Sequence, residues 1–415
     1  MEQHAERRDA RNQHEARLRE AVSVDYLRQG FDAGVTMARG LPLLELEGGP
    51  WDWGFRHGRD AEARVRENVS LYRQRFSSWA KIPPEELRRR SQAYADVIEK
   101  ANPSYSAAMD GIAEGSGQDF LDIVAVNVRY EIMYSEFVER GMSATGPGVE
   151  AVGGCSSFAI APSQSENGHL LLGQNWDWIP EVRGLLVRAR APDGSTQLAF
   201  TEAGIAGAKI GLNSDGIGLA VNGLVSNLDT WSRLRKPFHL RCWEVLAAKD
   251  FEQAARSVVG EPRSCSANFV LVQTGQPARI ADFEAAPEGA CRIEATEGFV
   301  THTNHFLDPD RLGIWQPLAE DRVSTFHRYE RMRSVLAQRL ARGRKIRIED
   351  LKRILRDHDG APNCICRHAD LARVPEERFE TVVSVVMDLD AKEMHVASGT
   401  PCTTRYIPHR LLAGA

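Results

Sequence analysis

Gly153-Gly154-Cys155-Ser156-Ser157-Phe158-Ala159-Ile160-Ala161, followed by His169-Leu170-Leu171-Leu172-Gly173-Gln174-Asn175-Trp176-Asp177-Trp178, decides how this 415-residue chain is read. Ser157–Ala161 reads as a strand, Gln164–Gly168 as a polar turn and His169–Asn175 as the returning strand. Such a hairpin carries Asp177 back towards Cys155. Two glycines ahead of the cysteine allow backbone conformations closed to other residues. A thiol with a carboxylate beside it, at the start of a strand, points to a nucleophile that is also meant to become a chain terminus.

Outward from this hairpin the two sides differ in character. Upstream, Leu41–Glu47 reads as a strand ended by Gly48-Gly49-Pro50, and the residues from there to the cysteine are mostly helical. Apolar residues recur at helical spacing from Asp60 to Ser77, and Pro83-Pro84 opens a helix whose first turn holds Glu85 and Glu86. Asn102-Pro103 breaks that helix; further helices are expected over Tyr105–Glu114 and from Leu121 to about Arg140. Gly146-Pro147-Gly148 is a loop leading into the cysteine. Downstream, short Val-, Ile- and Phe-rich runs alternate with Gly, Asn and Asp turns, as in Gly204–Leu224 and Phe269–Phe283. A last hairpin joins Thr381–Leu389 to Glu393–Ser398 through Asp390-Ala391-Lys392. Helices are expected at Phe238–Leu246, Phe251–Val258, Thr325–Leu340 and Ile348–Asp357. The pattern alone supports an α+β class.

Composition excludes several roles. A net charge of −5 gives no reason to expect nucleic acid or an anionic membrane as partner. No run of about 18 apolar residues is present, and Met1–Glu20 lacks the apolar core of a secretory signal. The seven cysteines are scattered, without the spacing of a disulfide framework, which makes the cytoplasm the expected compartment.

Gly-Cys-Ser-Ser at 154–157 with Gly-Gln-Asn-Trp-Asp at 173–177 resembles the isopenicillin-N acyltransferase (acyl-coenzyme A:6-aminopenicillanate acyltransferase) family of autoproteolytic N-terminal-nucleophile hydrolases. The resemblance continues in order through Gly211–Gly218, Ser266-Ala267-Asn268-Phe269, His302-Thr303-Asn304-His305-Phe306, His327–Met332 and Ile365-Cys366-Arg367. It covers roughly residues 40 to 408. It implies a four-layer αββα fold, with two antiparallel sheets packed between helices. It also implies cleavage between Gly154 and Cys155, releasing a mostly helical α chain (residues 23–154, behind a charged extension, 1–22) from a β chain (155–415). The two remain together as one compact αβ heterodimer over 23–415.

In this reading Cys155 attacks the Gly154 carbonyl, and the freed α-amino group then serves as base for its own thiol. That amine's ordinary pKa, about 7.7–8.0, lies close to the thiol's, about 8.5. The resemblance implies that Asp177 orients the amine, Asn268 donates to the oxyanion and Arg328 supplies a positive charge near the thiol, with Arg331 and Arg333 close by in sequence. Asn222 is a second oxyanion donor by analogy with bile-salt hydrolases, and Gln174 stands where those enzymes carry arginine. Trp176 and His305 are expected at the substrate. Trp176 and Trp178 would point to the face opposite Asp177.

The expected substrate is a small N-acyl compound, with a coenzyme A thioester as a possible acyl donor and no cofactor. Hydrolysis is preferred over transfer because water is always present and no coenzyme A signature is visible. The rival readings are a coenzyme A-dependent transferase of the penicillin type and an inactive scaffold of the same fold. No metal is expected: His302–His305 and Cys364-Ile365-Cys366-Arg367-His368 offer zinc-type ligands, but Cys-x-Cys lacks the usual spacing.

Overall fold

The computed structural model describes residues 40–141, 154–317 and 323–412; Gly153, the Gly146–Gly148 loop and the charged N-terminal extension lie outside them. Two sheets form the middle of the molecule. The first has eight strands in the order β1 (Leu43–Glu47), β4 (Gly184–Arg190), β5 (Thr196–Glu202), β6 (Ile210–Asn213), β7 (Ile217–Gly223), β8 (Ala267–Gln273), β9 (Arg279–Ala286) and β10 (Gly289–Glu294). The second has six, in the order β11 (Phe299–His302), β2 (Ser156–Ile160), β3 (Leu171–Trp178), β12 (Glu380–Asp388), β13 (Glu393–Ser398) and β14 (Ile407–Arg410). All pairings are antiparallel except the edge pair β1–β4. That exception departs from the expected pair of fully antiparallel sheets. The connection from β1 to β4 runs through six helices and the β2–β3 hairpin, long enough to return in the same direction.

The sheets face one another where β2 and β3 lie over β7. Outside the eight-stranded sheet, α7 (Phe238–Leu246) and α8 (Phe251–Val259) pack on β6 to β9. Outside the six-stranded sheet, α9 (Val323–Ala341) packs on β11 and α10 (Ile348–Ile354) on β12. The result is the four-layer αββα arrangement. Strand periodicity explains why both faces of β3 are buried. Gln174 and Trp176 turn inwards, Gln174 clasping the Val221 backbone and Trp176 lying 5.5 Å from the Phe200 ring. Asn175 turns outwards and donates at 2.8 Å to the carbonyls of Leu355 and Ile365. Beneath α9 and α10 a second apolar cluster joins Phe158, Ile160 and Leu171 to Met332, Leu336, Leu351 and Leu355.

The segment before the cysteine is helical as expected: α1 (Pro50–Asp60), α2 (Glu62–Ser78), α3 (Pro84–Ala101), α4 (Pro103–Ser116), α5 (Phe120–Asn127) and α6 (Arg129–Gly141). Two details differ from the sequence reading. Pro50 ends no strand but opens α1, where its missing N–H costs nothing. The expected Leu121–Arg140 helix is broken at Val128, which leaves helical geometry (φ −109°, ψ 15°). α1 and α4 touch backbone to backbone: a Cβ on Gly54 would stand 2.0 Å from the Ala108 carbonyl, and one on Gly111 2.3 Å from that of Trp51.

Candidate active site

The β2–β3 register pairs Ser156 with Asn175; continued by one and two residues it sets Cys155 opposite Trp176 and Gly154 opposite Asp177. The Cys155 Sγ lies 3.9 Å from the Asp177 carbonyl oxygen, and the cysteine side chain is buried. Gly154 is closely faced: an added Cβ would sit 2.5 Å from Asp177 Oδ2 and 2.6 Å from Arg367 Nη1, so both side-chain ends would have to move.

Three arginines of α9 separate cleanly. Arg331 binds Asp357 at 2.8 Å and Arg333 reaches Glu297, both partly exposed. Arg328 is fully buried and turns towards the cysteine. Its Nη1 donates at 2.7 Å to the Gly154 carbonyl, at 2.7 Å to that of Cys155 and at 3.1 Å to Ser156 Oγ. Nη2 donates at 3.1 Å to Asn304 Oδ1, and Asn304 Nδ2 donates to the Gly223 carbonyl at 3.0 Å. Within the His302–His305 motif it is therefore Asn304 that reaches this constellation. His305 is held by Thr303 and Thr325 against the rings of Phe326 and Tyr329. Burial, with the charges of His302 and Arg328, lowers its pKa to about 3, so it is a neutral ring.

Burial pushes the Cys155 thiol up to about 11, with the Asp177 charge adding to the rise. Burial likewise raises Asp177 to about 7, against the pull of Arg328, Arg367 and a 2.7 Å hydrogen bond from Thr381 Oγ1 to Oδ1. Asp177 Oδ2 is buried and accepts no hydrogen bond from the described residues. A carboxyl group poised near neutrality with a free oxygen beside a peptide bond can take or give a proton there.

Below the thiol is a cavity of about 20 Å³, room for roughly one water. Cys155, Trp176, Lys209, Asn222 and, from α6, Tyr130 and Tyr134 line it. Asn222 Oδ1 accepts from Ser157 Oγ at 2.6 Å and from Asn268 Nδ2 at 3.3 Å. Those bonds fix the Asn222 amide and leave its Nδ2 buried with no partner among the described residues. Asn222 thus presents a spare donor at the cavity, while Asn268, its cross-strand neighbour, gives one of its two N–H groups to Asn222.

Lys209 escaped the sequence reading. It is buried, pairs with Glu202, and holds its ammonium 3.4 Å from the centre of the Trp176 ring. Burial lowers its pKa to about 7 although Glu202 opposes the shift. The only sequence signal was a lone lysine in the apolar run Gly204–Ile210. Thr381 and Asn304 were likewise missed, because a hydroxyl or amide gains meaning only from what the fold sets opposite it.

Among solved structures, this chain is similar to a Caenorhabditis elegans N-acylethanolamine-hydrolyzing acid amidase ortholog (15% identity, 57% of this chain and 93% of that one, TM-score 0.41). It is also similar to penicillin V acylase from Agrobacterium tumefaciens (14%, 59% and 83%, TM-score 0.41). In sequence it is 26% identical over 364 residues to the 40 kDa form of acyl-coenzyme A:6-aminopenicillanic-acid-acyltransferase of Emericella nidulans, spanning 86% of this chain and 92% of that protein. The model of the acyl-coenzyme A:6-aminopenicillanic acid acyl-transferase family matches residues 163–402, a stretch holding Asp177, Asn222, Asn268 and Arg328 but starting after Cys155. With more than half of its length matched, this chain belongs to the acyl-coenzyme A:6-aminopenicillanic acid acyl-transferase family.

Proposed function

We propose that this chain is the precursor of a cysteine N-terminal-nucleophile enzyme that cuts itself between Gly154 and Cys155 and then moves the acyl group of a small N-acyl compound. The observation that carries this reading is Arg328 Nη1, 2.7 Å from the Gly154 carbonyl oxygen, the atom that becomes an oxyanion when the adjacent thiol attacks. In the first stage Asp177 takes the thiol proton and Sγ adds to the Gly154 carbonyl carbon. The tetrahedral centre collapses, the C–N bond breaks, and the proton returns to the Cys155 nitrogen. Water then hydrolyses the thioester, leaving a Gly154 carboxylate and a free Cys155 thiol and amine.

In the second stage the Cys155 amine is the base for its thiol, held by Asp177, and the substrate acyl group becomes a thioester on Sγ. The spare Nδ2 of Asn222 supports its assignment as oxyanion donor, with Asn268 and Ser157 locking its orientation. Trp176 and Lys209 line the small cavity beside the thiol, where we place the first atoms of the acyl group. Water as acceptor gives hydrolysis; an amine gives transfer. The name of the Emericella relative supports a coenzyme A thioester as an alternative acyl donor through the same intermediate.

The test is intact mass of the processed enzyme during turnover of N-acyl amino acids and penicillins, with and without 6-aminopenicillanate as acceptor. An acyl adduct is expected on Cys155 of the C-terminal piece, and an adduct on another cysteine sinks the reading. Asn222→Ala, in protein already processed, is expected to lower kcat by roughly 100- to 1000-fold with a smaller change in KM, the typical cost of one oxyanion donor. An unchanged kcat would remove Asn222 from that role.

A further inference from the structure

Outside the cysteine site, two loops of the outer face converge on four ligand-type side chains. His358 follows α10, Cys366 and His368 belong to the segment leading into β12, and Cys402 follows β13. We propose that His358, Cys366, His368 and Cys402 bind one structural zinc ion. One ligand atom from each lies within 4.8 Å of every other. His358 Nε2 is 3.1 Å from His368 Nε2, and His368 Nε2 is 3.4 Å from Cys402 Sγ and 3.8 Å from Cys366 Sγ. A tetrahedron with Zn–N bonds of about 2.0–2.1 Å and Zn–S bonds of about 2.3 Å has edges of roughly 3.3–3.8 Å. The side chains already stand close to the corners such an ion needs, and two thiols with two imidazoles are a donor set suited to zinc.

The Cys-x-Cys spacing that argued against metal was the wrong pair to inspect. Cys364 turns away and donates to the Cys366 carbonyl at 2.9 Å. The ligands are instead Cys-x-His plus two residues distant in sequence, which only the fold assembles. His302, in the other stretch with zinc-type side chains, is bound to Glu284 at 2.9 Å and to the Thr303 carbonyl.

Four protein ligands leave no open position, so the ion is structural rather than catalytic. It pins the segment that carries Arg367, between two of its ligands, against Gly154, and joins it to the 400s loop. That segment is also tied to β12, through the Thr381 amide on the Arg367 carbonyl.

The experiment uses the full chain, expressed with zinc and purified under reductant without chelator. About one zinc per chain is expected by elemental mass spectrometry, falling at least tenfold in Cys366→Ser/Cys402→Ser but retained in Cys364→Ser. Cobalt loaded into the wild type is expected to give the visible spectrum of a tetrahedral site with two thiolates, a readout needing no variant to fold. Zinc-free wild type, zinc retained by the double variant, or an octahedral cobalt spectrum would each overturn the proposal. So would a Cys366–Cys402 disulfide in reductant-purified protein, which would make the pair a redox couple instead.

Discussion

Cys155→Ala is expected to remain a single 415-residue chain under denaturing conditions, while the wild type separates into pieces of 154 and 261 residues, the second beginning at Cys155. The effect should be all or none. Arg328 and Asp177 stay in place in the variant, but neither can attack a carbonyl carbon; they can only stabilise and shuttle for a nucleophile that is gone. The side chain is 3% exposed, so loss of one sulfur from a packed site costs some stability without unmaking the sheets around it. Six other cysteines remain as internal controls. Denaturing mass measurement after incubation near pH 7.5, with circular dichroism to confirm folding, decides the matter. Cleavage of the alanine variant at the same bond would assign the chemistry to another group. A wild type that stays whole would leave Cys155 without the free amine on which the second stage depends.

The parts of this site that were legible in the sequence are those set by local geometry. A two-residue strand period and a short turn bring Asp177 back towards Cys155, and the β2–β3 register bears out that hairpin. The same period turns Trp176 inwards, away from Asp177. Arg328 could not be told from Arg331 and Arg333 by spacing, because the face α9 buries depends on the sheet beneath it. Only packing reveals that Arg328 meets the Gly154 carbonyl while its neighbours meet acidic residues at the surface. Asn222 and Asn268 were legible as a pair but not in how they bond one another, which is set by the β7–β8 register and one hydroxyl from β2. α1 was missed for a different reason. Its glycines lower helix propensity, and the compensation is a backbone contact with α4, over fifty residues away, that no local pattern encodes.

Asp177→Asn should slow self-cleavage by at least about 100-fold and remove its pH dependence near neutrality, a loss in the range of general acid–base catalysis. Two shifts set the sign. Cys155 titrates at about 11, so near pH 7 only about one thiol in ten thousand is ionised and a base is required. Asp177 is raised to about 7, and in the proposed first stage it is its ionised form that takes the proton. The wild-type rate should therefore climb about tenfold per pH unit below pH 7 and flatten above it, as the ionised fraction saturates. Asparagine keeps the shape and can still accept from Thr381, but it cannot take the proton. In the variant the rate should be low at neutral pH and keep rising with thiolate concentration towards pH 11, with no break near 7. Single-turnover cleavage of freshly refolded precursor between pH 5.5 and 9.5 measures both profiles. Lys209, brought near 7 by burial at the thiol's cavity, is the rival for that inflection that lines the site. A break near pH 7 that survives in Asp177→Asn would hand the role to Lys209, whereas its disappearance, with the slope extended into the alkaline range, ties the proton transfer to the free carboxylate oxygen beside Gly154.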